Sequence, residues 1–166
     1  VNQKLPMQTH HKIRNQDQLL RQVKNWKAAG KQIVFTNGCF DILHLGHVDY
    51  LEKASEKGDV LIVAINTDLS VKNIKGNGRP VHNEIARARL LAAMSFVDAV
   101  GFFSEDTPKQ LIENIKPDVL IKGSDYEISN IVGADIVMEN GGKVETIDLV
   151  EGYSTTQIIN QIKQKK

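Results

Sequence analysis

Hydrophobic positions along this chain follow two alternating patterns. Between Asn15 and Ala29, Leu19, Leu20, Val23 and Trp26 recur at helical spacing, and Gly30 supplies a stop, which predicts an amphipathic helix. The next apolar run is short and unbroken. Ile33-Val34-Phe35, closing on Thr36-Asn37-Gly38, predicts a buried strand with a glycine exit. Gly46 to Lys57 reads as a helix with Val48, Leu51 and Ala54 on one face and Gly58 as its end. Val60 to Ile65 is the clearest buried strand, and the polar stretch Asn66 to Pro80 is expected to be a loop. Asn83 predicts the cap of a helix reaching about Met94.

The alternation continues. Ala99 to Phe103 predicts a strand, Pro108 opens a helix to about Ile115, and Pro117 ends it. Val119 to Ile121 is a fourth strand, Val132 to Glu139 a helix, and Val144 to Leu149 a fifth strand. Ser154 starts a last helix to about Ile162. Short, wholly apolar strands alternating with helices predict a parallel five-stranded sheet covered on both faces, a three-layer α/β fold. One domain is expected over 15–166, behind a loose arm over 1–14 that has little to bury. Ligands of such sheets sit beyond the carboxyl ends of the strands, at Asn37 to His47, Asn66 to Arg79 and Lys122 to Tyr126.

Composition narrows the class. The 166 residues are 41% hydrophobic and 25% charged, which is globular and not disordered. Lys and Arg total 21 against 20 Asp and Glu, and a balance of +1 argues against a nucleic-acid partner. One Cys excludes an intrachain disulfide and a cysteine-built zinc site, and favours a reducing compartment. No apolar run approaches the roughly 18 residues of a membrane span, and Val1 to Lys12 has no signal-peptide core. A soluble, cytoplasmic protein without a membrane partner is the expectation.

The segment Thr36 to His47 holds the most chemistry. Gly38 lets the backbone approach a ligand, and Gly46 does so at a helix start, where free N–H groups and the dipole favour anions. His44 and His47, three apart across that turn, can face one side and stabilise charge on a phosphoryl group. A zinc reading with Cys39 lacks a fourth ligand, so no metal ligand is assigned. Cys39 is expected to be a packed small residue. Asp41 is expected to brace its loop through backbone N–H groups. Asn37 either binds phosphate or caps the turn.

Downstream, Lys72, Lys75 and Arg79 lie amid Gly76 and Gly78. A mobile loop is expected to carry Lys75 and Arg79 onto phosphates. Arg87 is open between facing the site and ordinary surface charge, whereas Arg89 is expected on the surface. Lys122 and Asp125 follow a buried strand at its carboxyl end, where ligand contact is expected.

Gly38-x-Phe40-Asp41-x-x-His44-x-Gly46-His47 resembles the G-x-F-D-x-x-H-x-G-H signature of the cytidylyltransferase-like nucleotidyltransferases. The resemblance implies a Rossmann-like fold and transfer of a nucleotidyl group from a nucleoside triphosphate to a phosphorylated small molecule, with pyrophosphate released. It implies His44 and His47 at the transition state, and Lys75 and Arg79, read from their loop, are expected beside them. With the strand-end positions, nucleotide or phosphate contacts are expected from Asn37, Gly38, Phe40, Gly46, Lys122 and Asp125. The stretch Leu149 to Thr156 resembles the family's second element, which implies that Gly152, Ser154 and Thr155 hold triphosphate oxygens ahead of a helix. The family's Arg is Leu149 here, which disfavours CTP.

Further stretches, including Lys75-Gly76-x-Gly78-Arg79-Pro80, Glu105 to Pro108 and Lys122-Gly123-x-Asp125-Tyr126, are similar to the adenylyltransferase branch of ADP-heptose synthesis. That branch implies ATP with Mg²⁺ and D-glycero-β-D-manno-heptose 1-phosphate as acceptor. It also implies a heptose kinase upstream, separate or fused, and a homodimer. Alternatives are a glycerol-3-phosphate cytidylyltransferase, another sugar- or alcohol-phosphate nucleotidyltransferase, and a nonenzymatic nucleotide-binding module.

Overall fold

The computed structural model describes residues 9–165. Five strands form one sheet: β1 Ile33–Gly38, β2 Val60–Asn66, β3 Ala99–Phe103, β4 Val119–Gly123 and β5 Lys143–Ile147. Between and around them lie α1 Gln16–Ala28, α2 Leu45–Ser55, α3 Asp68–Lys75 and α4 Glu84–Ala92. The later helices are α5 Lys109–Ile115, α6 Ala134–Glu139 and α7 Thr155–Gln164. No helix among the described residues is long and apolar enough to cross a membrane.

Every strand pair is parallel, in the order β3-β2-β1-β4-β5. The chain moves outward from β1 through β2 to β3, then returns to lay β4 on the other side of β1. The connection order therefore reverses between β1 and β4, which opens a crevice at their carboxyl ends.

Side chains alternate along each strand into two cores. Ile33, Phe35, Ile62 and Leu120 pack with Leu19 and Val23 of α1 and with buried residues of α5 and α6. Val34, Leu61, Val63 and Ile121 pack with Leu51 and Ala54 of α2 and with Ala88 and Leu91 of α4. Both strand faces are covered, which is why the strands read as unbroken apolar runs. Truncating a fully buried residue such as Leu51 to Ala would cost about 2–5 kcal/mol.

The ends of the helices are set locally. Asn15 and Gln18 form a reciprocal capping box on α1, and Gly30, at φ +70°, turns the chain out of it. Asn83 caps α4 by accepting from the Ala86 amide at 2.9 Å.

Two expectations are corrected. The polar stretch after β2 contains α3, where Thr67 accepts from the Ser70 amide and Gly76 ends the helix at φ +87°. The apolar signal is weak because this helix buries only Val71 and Ser70. The Ser70 hydroxyl turns inward to receive Asn66 Nδ2 at 3.0 Å. The second correction concerns the arm. Residues 1–8 lie outside the described residues, but Thr9–Lys12 form a short 3-10 turn and Ile13 bridges Val100 of β3. The Arg14 amide donates to the Val100 carbonyl at 3.0 Å, and Lys12 Nζ donates to the Met94 carbonyl at 3.0 Å. These contacts fasten 9–14 to the domain.

Candidate active site

A cavity of about 590 Å³ opens over the carboxyl ends of the strands. The loop after β1 forms its centre. His44 is the N-cap of α2 in extended backbone, at φ −146°, and its side chain makes no capping bond. Its carbonyl instead accepts the His47 and Val48 amides at 2.9 and 3.2 Å. The ring is thereby free to face the cavity, where it stacks on His47 with centroids 3.8 Å apart and planes 23° from parallel.

Two glycines of the signature have a steric reason. A Cβ on Gly46 would lie 3.1 Å from His44 Nδ1, so a larger residue would push the ring out of the stack. A Cβ on Gly38 would lie 3.0 Å from the Phe40 ring. Phe40 itself adopts the left-handed region at φ +46°, and that turn brings its ring to 5.1 Å from His47.

Burial holds His47 down to about 4, with the His44 charge as a second cause, and burial also lowers His44. Both imidazoles are therefore neutral at pH 7, each with one N–H to donate. Their Nδ1 atoms are buried without a protein partner, as is Asn37 Oδ1. All three residues line the one crevice, so a polar ligand there would meet groups that the protein itself leaves unpaired.

Asp41 does not face a ligand. It accepts Arg79 Nε at 2.6 Å and the Val81 and His82 amides at 2.8 and 2.9 Å, so it is a loop brace. Burial alone would raise its carboxyl, but the His82 and Val81 amides and Arg79 hold it below the ordinary range. Arg87 does not face the site either. It is fully buried, away from the cavity lining, and its guanidinium donates to the Cys39 carbonyl at 2.8 Å, the His82 carbonyl at 3.0 Å and Asp68 Oδ1 at 2.7 Å. Its role is to join the β1 loop to the starts of α3 and α4. Cys39 lies beside Asn66, Sγ to Oδ1 3.8 Å, and burial pushes its thiol up, which makes it a poor nucleophile.

Lys75 and Arg79 both line the cavity, but a freely mobile loop does not carry them. Lys75 closes α3, and Arg79 is anchored through Asp41. Across the crevice, half-buried Lys122 donates to the Asn37 carbonyl at 3.1 Å. Burial pulls its ammonium down to about 8. Asp125 sits next to the backbone of Gly123, where a Cβ would meet its carboxylate at 2.5 Å. Ser154 caps α7 by accepting the Gln157 amide at 3.1 Å, and Thr155 Oγ1 donates to the Ile42 carbonyl at 3.4 Å. These bonds bring the N-terminus of α7 against the β1 loop.

Gly152 is the one proposed contact that does not line the cavity; at φ +82° it turns the chain before Ser154. Sequence reasoning missed four positions. Tyr50 hydrogen-bonds Thr36 at 2.7 Å and donates to the Ile121 carbonyl at 3.1 Å, tying α2 to β1 and β4. Asn66, Asp106 and Tyr153 line the cavity, and the Tyr153 ring lies 6.5 Å from that of His44. Asn66, Asp106 and Tyr153 each lay in a stretch that the sequence singled out, but no residue-level signal picked them; Tyr50 had none.

The doubly wound sheet and its switch-point crevice define a Rossmann-like α/β protein with a phosphate-suited site. A model of the cytidylyltransferase-like family matches residues 35–161, and the chain belongs to that family. Bifunctional protein HldE of Campylobacter jejuni subsp. doylei is 56% identical over 93% of this chain. The HldE proteins of Geobacter metallireducens and Ectopseudomonas mendocina are 52% and 54% identical over 91% and 90% of it. The chain spans about a third of the length of these curated relatives, at 31–32%. Among solved structures, a lipopolysaccharide core biosynthesis protein of Thermoplasma volcanium superposes with a TM-score of 0.58 at 29% identity, covering 75% of this chain and all of that one. Pantoate-beta-alanine ligase of Francisella tularensis gives 0.58 at 18% identity over 91% of this chain and 76% of its own, a likeness of fold alone.

Proposed function

We propose that this domain transfers AMP from ATP to D-glycero-β-D-manno-heptose 1-phosphate, releasing pyrophosphate and forming ADP-heptose for surface-glycan or lipopolysaccharide synthesis. The observation that carries it is the stacked His44–His47 pair at the start of α2, in a chain 56% identical to a bifunctional HldE protein. In this reading the acceptor phosphate oxygen attacks the α-phosphorus in line, and the bond to the pyrophosphate oxygen breaks. No protein nucleophile is needed, because a phosphate monoester is already anionic at neutral pH. His44 and His47 donate N–H groups to the charge that builds on the phosphoryl oxygens. Lys75 and Arg79 hold phosphates, and the N-termini of α2 and α7 add their free amides. Catalysis is then mostly positioning and charge stabilisation.

A divalent cation fits this site as a passenger of the nucleotide. The described residues hold no group of three or more His, Cys, Asp or Glu that could cage a metal, and Asp41 is committed to Arg79. Mg²⁺ keeps several waters and takes phosphate oxygens readily, so the triphosphate would carry it, with Asp125 the candidate carboxylate on the nucleotide side. When bound, it neutralises charge on the phosphates.

Leu149 supports ATP over CTP, since it lines the cavity where CTP-using members carry Arg. The relatives' length and bifunctional name support a second activity in the longer proteins, which we read as the kinase that makes the acceptor. A cytoplasmic setting and a homodimer belong to the same reading.

The test is pyrophosphate release from ATP, Mg²⁺ and the heptose 1-phosphate. Release with that acceptor supports the reading. No release, while CTP with glycerol 3-phosphate reacts, would move the chain to the cytidylyltransferase branch. Nucleotide binding without turnover on any acceptor would leave a binding module.

A further inference from the structure

The cavity has two unlike halves. Over β4 and β5 its walls include Ile131, Val132, Leu149 and the rings of Tyr126 and Tyr153, flat and apolar surfaces that suit a nucleobase. Over β2 and β3 it is lined instead by Asn66, Lys75, Arg79, Asp106 and Thr107. Two cations there suit a phosphate. A carboxylate on the same wall does not, because it repels the anion the cations attract. Its presence calls for a different recognition task.

Three aspartates line the cavity: Asp41, Asp106 and Asp125. Asp41 is consumed by Arg79 and two backbone amides. Asp125 lies beside Lys122 on the nucleotide half. Asp106 forms no ion pair among the described residues. Its loop is nevertheless fastened in place. The Thr67 amide donates to the Phe103 carbonyl at 3.0 Å, and the Ser70 hydroxyl donates to the Glu105 carbonyl at 3.4 Å. Glu105 turns its own carboxylate back to the Ser104 amide at 2.9 Å, and Pro108 opens α5 just after. Asp106 and Thr107 are thus the exposed apex of an anchored turn at the cavity rim.

We infer that Asp106 and Thr107 read the hydroxyl groups of a polyhydroxylated acceptor whose phosphate lies on Lys75 and Arg79. A carboxylate accepts two hydrogen bonds from a vicinal diol, which a sugar has and inorganic phosphate lacks. Asp106 and Thr107 are then specificity residues, and the inference rests on the acceptor class proposed above. A site built to bond hydroxyls rejects an analogue without them more sharply than an apolar pocket rejects an extra group.

The experiment is calorimetric titration of the protein and its Asp106→Ala and Thr107→Val variants with three probes: heptose 1-phosphate, inorganic phosphate and ATP with Mg²⁺. Both side chains are exposed, so the variants retain the fold, checked by circular dichroism. Asp106→Ala is expected to weaken sugar-phosphate binding at least tenfold, and Thr107→Val several-fold, with ATP unchanged and inorganic phosphate unchanged or tighter. Equal sugar-phosphate affinity in variants and wild type, or a parallel loss for inorganic phosphate or ATP, overturns the inference. So does a raised Mg²⁺ requirement with unaltered acceptor affinity, which would put the carboxylate on the cation. If discrimination appears but wild type releases no pyrophosphate, the proposed reaction fails and hydroxyl recognition stands.

Discussion

Asp41 Oδ2 accepts a hydrogen bond from Arg79 Nε at 2.6 Å, across 38 residues of chain. The carboxylate is buried, while the guanidinium keeps 17% of its side chain exposed at the cavity. One end of the pair is therefore structural and the other faces the site. The β1 loop thus fixes where a cation from a distant segment can act.

Asp41→Asn should be both less stable and weaker at holding phosphate. The amide cannot accept from Arg79 and both amides while its NH₂ points at a donor. Breaking a buried pair by removing one partner costs about 3–5 kcal/mol. Urea denaturation should show the loss, and KM for the acceptor should rise more than KM for ATP. Wild-type stability in this variant would refute the brace.

The histidine stack predicts two different rate effects. His47→Ala should lower kcat by about 10²–10³-fold, the range seen when one transition-state donor is removed. Gly46→Ala should lower it by displacing the His44 ring, with stability near wild type. Steady-state kinetics beside thermal unfolding separates them. Unchanged kcat in His47→Ala would remove the central chemical assignment.

Acid stability should report His47. Its folded value of about 4 lies below the ordinary 6.5, so the unfolded chain binds more protons between those limits. Stability is present above pH 6.5 and is lost as pH falls toward 4, by up to ~3 kcal/mol from this group. His47→Gln should flatten that part of the curve. Chemical denaturation at several pH values from 7 to 4 tests the slope.

Lys122 should limit nucleotide capture on the alkaline side. Its ammonium titrates at about 8 in the free protein, and only the charged form attracts phosphate. The kcat/KM for ATP should therefore fall as pH rises through 8, since that ratio reports free-enzyme groups. Lys122→Arg, which stays charged, should abolish the alkaline limb even if its level is lower. A limb that persists would assign it to another group.

The sequence by itself determined the sheet, most of its helices and the signature loop. Unbroken runs such as Val60–Ile65 need cover on both faces, and that requirement is local enough to read. Gly38, Gly46 and the two histidines were legible because sterics and spacing act within one turn. Helix α3 was not legible, because only Val71 and Ser70 point inward and Ser70 is held there by Asn66 and the Glu105 carbonyl. Only the tertiary structure placed β4 beside β1, which brings Lys122 to the Asn37 carbonyl 85 residues away. It also buried Arg87 as a three-way brace and turned Asp106 into the cavity. Those outcomes depend on which strands become neighbours and on which polar groups find partners when water is removed, and neither is encoded in residue spacing.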